Sequence, residues 1–218
     1  MTSDSKHARR VLVVDDHEIV RLGIRQLIAT ESDLVVCGEA ATAEQALDLN
    51  RTLHPDLAIV DLSLDTTPGL ELVRLLHEAT PDMPILVLSM HDEALFAERA
   101  LRAGARGYIM KRGAIVGLVQ AVREVLAGRI YASAGVVQGL LTGDRDKGSW
   151  RDALKGLTDR ELEVFEMIGR GMSTALIAKN LGLSVKTIET YRSNIKQKLN
   201  LKDATDLIRL ALSYALRN

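Results

Sequence analysis

The sequence predicts an α/β fold in its first part, a five-stranded parallel sheet flanked by helices, followed by an all-α second part. Short apolar, β-branched runs alternate with longer amphipathic stretches up to about residue 127, and beyond residue 154 the pattern is helical only. Charge divides the same way. From Arg151 to the C-terminus there are 12 Lys/Arg against 8 Asp/Glu, which leaves 16 against 21 before it. An acidic first part and a basic second part point to different partners.

The runs at 11–14, 34–37, 57–60, 85–88 and 107–110 have the length and β-branched content of buried parallel strands. Stretches 18–29, 43–53, 70–79, 93–103 and 114–127 read as helices, the first with Val20, Ile24, Leu27 and Ile28 along one side. Parallel neighbours need a crossover, and the helices supply it. From 128 to 154 the periodicity fades, and Gly, Ser and charge accumulate at 142–149. This stretch reads as a linker, with a short helix near 136–141 and Trp150 anchoring it against a domain. The expected organisation is a first domain at 8–127, a linker at 128–154 and a second domain at 155–218.

Hydrophobic residues at 47% and charged residues at 26% are ordinary for a globular protein. A lone Cys37 excludes an internal disulfide and fits a reducing compartment. The polar start lacks a signal-peptide core, and no apolar run approaches the ~20 residues of a membrane span. A cytoplasmic location is expected.

Polar residues break the apolar runs at telling places. Asp15 and Asp16 follow the first strand, Asp61 the third, Ser89 the fourth and Lys111 the fifth. Open parallel sheets bind ligands outside the carboxyl ends of their strands, so these side chains are expected to converge. Crowded carboxylates repel one another unless a cation joins them, and hard oxygen ligands favour Mg²⁺. With the metal bound, Asp61 is placed to attack a phosphoryl group, with Lys111 and Ser89 on phosphoryl oxygens. Solvent-facing strand ends would explain any one of these residues, but not all five in this order. A phosphatase with an aspartyl nucleophile also sets acids at strand ends. The haloacid-dehalogenase pattern, however, needs a second Asp where Ser63 stands, and no substrate-covering domain is evident.

Residues 11–23, with Val14, Asp15, Asp16, His17, Arg21 and Gly23, resemble the opening of receiver domains in NarL/FixJ-class response regulators. The resemblance implies a flavodoxin-like receiver fold, with Asp61 as phospho-acceptor, Asp15 and Asp16 as further metal carboxylates, Ser89 as switch hydroxyl and Lys111 as the family's lysine. Tyr108 matches the aromatic that turns inward after Ser89 is drawn to the phosphoryl group. A sensor histidine kinase is the implied donor. One position departs: where receivers usually carry proline, this chain has Asp65, with Pro68 following. The loop 62–68 should therefore differ in shape, and an added charge bears on metal affinity and phosphorylation rate. It also keeps open a regulator that dimerises without phosphate.

Beyond the linker, Thr158 and Glu161 form a capping-box pattern before Leu162, Phe165 and Ile168, and Gly171 is a natural stop. Ser173 caps a second helix carrying Ile177 and Leu181. After Gly182, Ser184 caps a third at 185–199 that buries Ile188, Ile195 and Leu199. Two helices joined by a short Gly-containing turn make a helix-turn-helix, although the periodicity alone serves a protein-binding bundle as well. The motifs at 157–161, 171–178 and 183–188, with Lys198 and Leu199, resemble the LuxR-type DNA-binding domain through almost all of 155–216. The resemblance puts the third helix in the major groove of double-stranded DNA. Glu189, Thr190 and Ser193 would lie near base edges, and Lys186, Thr187, Arg192 and Lys196 on phosphates.

Glu189 stands where a basic residue is common, Tyr191 where histidine is common, and Leu176 where a polar one is common. The last helix, at 203–216, aligns Leu207, Leu210, Ala211 and Tyr214, and in the family it pairs two copies on DNA, implying a homodimer. The five histidines lack ligand-like spacing, and His91, two residues after Ser89, reads as a surface residue, with tuning of phosphate lifetime as the alternative. Altogether the resemblance implies a phosphorylation-controlled transcription regulator, not a turnover enzyme.

Overall fold

The structure, a computed structural model, describes residues 8–64, 67–134, 136–138 and 154–216. Asp65, Trp150 and most of the expected linker lie outside them, as does part of the expected helix near 136–141, of which 136–138 are helical. The described residues fall into two compact units, one within Met1–Gly139 and the other within Leu140–Asn218.

The first unit alternates β1 (Arg9–Val14), α1 (Glu18–Ala29), β2 (Leu34–Ala40), α2 (Ala43–Leu53), β3 (Leu57–Val60), α3 (Gly69–Ala79), β4 (Ile85–Ser89), α4 (Glu93–Arg102), β5 (Gly107–Met110) and α5 (Ala114–Leu126). The sheet is parallel with order β2-β1-β3-β4-β5. The order reverses between β1 and β3, which opens a crevice at their carboxyl ends. Val11 to Val14 and the whole of β3 and β4 are buried because helices cover both faces of the central strands.

β2 runs three residues past its apolar run. As the outer strand it pairs on one side only, so Gly38 and Glu39 are tolerated there. The register steps from Val36 to Gly38, leaving Cys37 out of the pairing, a bulge that local sequence does not announce. At the opposite edge the chain returns after α5: Tyr108 N–H donates to the Tyr131 carbonyl at 2.7 Å, and Tyr131 N–H to the Arg106 carbonyl at 3.0 Å.

The second unit contains α6 (Asp159–Gly169), α7 (Thr174–Asn180), α8 (Val185–Lys198) and α9 (Ala204–Ala215). Each starts at a cap: Thr158, Ser173, Ser184 and Asp203 each accept from the backbone N–H three residues on. The Thr158–Glu161 capping box forms in both directions. Gly171 and Gly182 take positive φ, 76° and 62°, where the chain must turn left-handed out of α6 and past α7. Phe165, Ile177, Ile188, Ile195, Leu207 and Ala211 form the buried centre. No described helix is long and apolar enough to cross a membrane.

Glu161 also joins α6 to α8, because Lys198 Nζ donates to its Oε2 at 2.6 Å. Burial pushes its carboxyl up, but the bonds from Lys198 and Thr158 outweigh burial and leave it below the ordinary value of 4.5. A carboxylate with a depressed folded pKa contributes stability above its unfolded value and loses it as pH falls through the folded one. The second unit should therefore lose stability on acidification below about pH 4.5. Glu161→Gln should cost about 1–2 kcal/mol at neutral pH and flatten that acid limb, as read by urea unfolding against pH.

Candidate functional site

The crevice at the β1 and β3 ends gathers the acids. Asp15 and Asp61 are each 1% exposed, and Asp16 lies beside them. One ligand atom from each of Asp15, Asp16, His17 and Asp61 lies within 4.8 Å of the others. Backbone pairing sets this convergence: Asp61 N–H donates to the Val14 carbonyl, and Asp15 N–H to the Ala40 carbonyl.

Lys111, following β5, reaches across the crevice. Its Nζ is 2.7 Å from Asp61 Oδ2 and 2.7 Å from Asp15 Oδ2. Burial pushes this ammonium down, but the pull of Asp61 and Asp15 prevails and holds it above its ordinary value, so it stays charged at neutral pH. Burial raises the Asp61 carboxyl against the pull of Lys111, and the neighbouring Asp15 charge adds to the rise. Asp61 Oδ1 is buried without a hydrogen bond of ordinary geometry. A buried anionic oxygen so weakly satisfied is costly, and a further cation or donor would relieve it. The three carboxylates among these groups, Asp15, Asp16 and Asp61, suit a small hard divalent ion.

Ser89 ends β4, fully buried, and its Oγ accepts the His91 N–H at 3.0 Å. Tyr108 is 1% exposed, with its hydroxyl donating to the His91 carbonyl at 2.9 Å, so its ring is already turned inward. The surface reading of His91 is corrected: it is 3% exposed, because the loop after β4 folds it onto Phe96 of α4. Spacing along the chain carries no signal for that contact. His17, likewise without ligand-like spacing in the sequence, lies against the acids. Its Nδ1 sits 2.5 Å from Asp16 Oδ1, although the side chain is largely exposed.

In the second unit, α8 follows the turn after α7, with Lys186, Glu189, Thr190 and Ser193 exposed. Thr187 is half-buried, its Oγ1 2.8 Å from Ser184 Oγ at the helix start. Lys196 is half-buried. The Arg192 side chain is 14% exposed, with Nε 3.8 Å from Glu189 Oε2, so it lies flatter against the helix than a free phosphate-binding arginine would. Tyr191 is half-buried and Leu176 is exposed.

Comparison with known proteins agrees with both units. The family model of the response regulator receiver domain matches residues 11–123, and that of the bacterial regulatory proteins of the luxR family matches 155–211. The chain is 34% identical over 208 residues to the response regulator UvrY of Escherichia coli K12, covering 95% of each. It is 35% identical over 207 residues to the response regulator GacA of Pseudomonas aeruginosa, covering 95% of this chain and 97% of that one. Among solved structures it resembles RcsB of Salmonella enterica serovar Typhimurium bound to promoter rprA in the presence of phosphomimetic BeF₃⁻. That likeness has a TM-score of 0.64 and 25% identity, and covers 95% of this chain and 99% of that one. The crevice at the β1 and β3 ends, the capped helix-turn-helix and these matches have one reading: the chain belongs to the two-component response regulators that join a receiver domain to a luxR-family DNA-binding domain.

Proposed function

We propose that phosphorylation of Asp61 by a sensor histidine kinase controls DNA binding by α8. The observation that carries this is the Asp61 carboxylate, buried at the end of a central strand, with Lys111 on Oδ2 and no hydrogen bond of ordinary geometry on Oδ1. In the transfer, an Asp61 oxygen attacks the phosphorus of a phosphohistidine. The new O–P bond forms as the P–N bond breaks, and the electron pair and then a proton go to the histidine nitrogen. Asp15, Asp16 and Asp61 would hold Mg²⁺, which when bound offsets charge on the phosphoryl oxygens. Lys111 can leave Asp61 for a phosphoryl oxygen while keeping Asp15. Ser89, whose oxygen already accepts from His91, still has its hydroxyl proton to donate. The chemistry is confined to self-phosphorylation and slow hydrolysis of the chain's own aspartyl phosphate, and its setting is the cytoplasm.

The domains are proposed at 8–127 and 155–218, joined by 128–154. On DNA, Lys186, Thr187, Arg192 and Lys196 would serve phosphates, and Glu189, Thr190 and Ser193 would approach base edges, in a homodimer reading paired half-sites. Glu189 repels phosphate but accepts from a cytosine amino group. Glu189→Gln should accordingly shift one half-site position from cytosine towards adenine, with discrimination changed by about 1–3 kcal/mol, as read by binding to a library of single-base variants.

The controlling test is DNA affinity and oligomeric state with and without Mg²⁺–beryllofluoride. Dimerisation with tightened specific binding is expected. Tight binding indifferent to the mimic would overturn Asp61 as the input and favour a regulator that works without phosphate.

A further inference from the structure

His91 occupies a junction. Its Nε2 lies 3.1 Å from Ser63 Oγ, two residues beyond Asp61 in the β3–α3 loop. Its N–H donates to Ser89 Oγ at 3.0 Å, and its carbonyl accepts the Tyr108 hydroxyl at 2.9 Å. The ring stacks on Phe96 of α4, with centroids 4.5 Å apart and planes 25° from parallel. Packing on Phe96 accounts for the burial, but any flat apolar ring would provide it. It does not account for a ring nitrogen set against a hydroxyl 28 residues earlier in the chain, across two loops.

We infer that His91 is a positioning residue that couples the Asp61 loop to Tyr108, an inference that rests on Asp61 being the phospho-acceptor. The side chain pins the β4–α4 loop to Ser63, and the main chain of the same residue holds Ser89 and Tyr108. A shift of the 61–63 segment as Asp61 gains a phosphoryl group therefore reaches the Tyr108 hydroxyl through one residue. The path continues. Tyr108 N–H donates to the Tyr131 carbonyl at 2.7 Å, and the Glu93 carboxylate in the first turn of α4 accepts the Ser133 N–H at 2.7 Å. Movement of β5 or α4 thus pulls on the segment that follows α5. The bridge works with either ring tautomer, since the serine hydroxyl both donates and accepts.

The test uses the full chain with 3-fluorotyrosine, the Tyr108 ¹⁹F resonance being assigned by Tyr108→Phe. Wild type is compared with His91→Phe, which keeps a ring on Phe96 but has no nitrogen, with Ser63→Ala, and with the double variant. Mg²⁺–beryllofluoride should bind all four within about threefold, because the carboxylates are untouched. The mimic should move the Tyr108 resonance in wild type and not in the variants. Mimic-driven tightening on DNA should fall at least about fivefold in each single variant and no further in the double, since both remove one link. His91→Gln, with an amide that can reach Ser63, should recover much of the response. Variants that keep the full Tyr108 shift, or a double variant whose loss is the product of the single losses, would overturn the coupling. So would a wild type that binds the mimic with Tyr108 unmoved. A wild type that fails to bind the mimic at all strikes instead at Asp61 as acceptor, and the coupling falls with it.

Discussion

Asp61→Asn should reduce phosphoryl labelling from acetyl phosphate by about two orders of magnitude or more, with the chain still folded. The amide lacks the anionic oxygen that attacks phosphorus, and no other carboxylate in the crevice takes its place. Asp15 is engaged by Lys111 and by the His17 N–H, and Asp16 by His17. Folding should survive because Asp61 is a source of strain. Its carboxyl is raised by burial and by Asp15, so neutralising it removes a repulsion even as Lys111 loses one of two partners. The urea midpoint should stay level or rise, and DNA affinity should no longer respond to beryllofluoride. Labelling that persists in Asp61→Asn would move the acceptor elsewhere.

The second large effect is Gly69→Ala. A Cβ at Gly69 would lie 2.2 Å from Leu62 Cα and 2.6 Å from the carbonyl oxygens of Asp61 and Leu62. These are backbone atoms, so no side-chain rotation relieves the clash, and the Gly69 N–H already donates to the Leu62 carbonyl at 3.1 Å. Either α3 moves away or the 61–62 segment shifts, and both displace the acceptor from Lys111. We expect a loss of about 1–3 kcal/mol in the first unit from the overpacking. Labelling should slow by about tenfold or more, because small misplacements of a reacting group are costly. Gly23 supplies the contrast: it lies within α1 with nothing within 4 Å of an added Cβ. Gly23→Ala should leave labelling unchanged and gain up to about 1 kcal/mol through helix propensity. Equal labelling rates in Gly69→Ala and wild type would show that the acceptor loop tolerates the displacement.

Local signals explain what was legible from residues alone. The runs at 57–60 and 107–110 and the stretches at 18–29 and 43–53 coincide with β3, β5, α1 and α2 to the residue, because a buried strand and an amphipathic helix write their periods directly into the chain. The same holds for the Thr158–Glu161 capping box, the Ser173 and Ser184 caps and the stops at Gly171 and Gly182, each a matter of a few neighbouring residues. A parallel sheet and the ends of the apolar runs then sufficed to gather Asp15, Asp16, Asp61 and Lys111 in one crevice.

What the residues did not show depends on partners far along the chain. The extension of β2 follows from its place at the sheet edge, and the bulge at Cys37 from its register on β1. His91 looked like a surface histidine because Ser63 lies far back in the chain, and the turn that folds the ring onto the nearby Phe96 is set by packing and not by spacing. The close approach of Gly69 to the Asp61 and Leu62 backbone shows only once α3 is seated against them. The identity of the family and the chemical character of the site were thus set by residue type and local spacing. The sharing of Lys111 between two carboxylates, the inward seat of Tyr108 and the junction at His91 were decided only by the tertiary structure, because an apolar period records which face is buried and not which residue lies across from it.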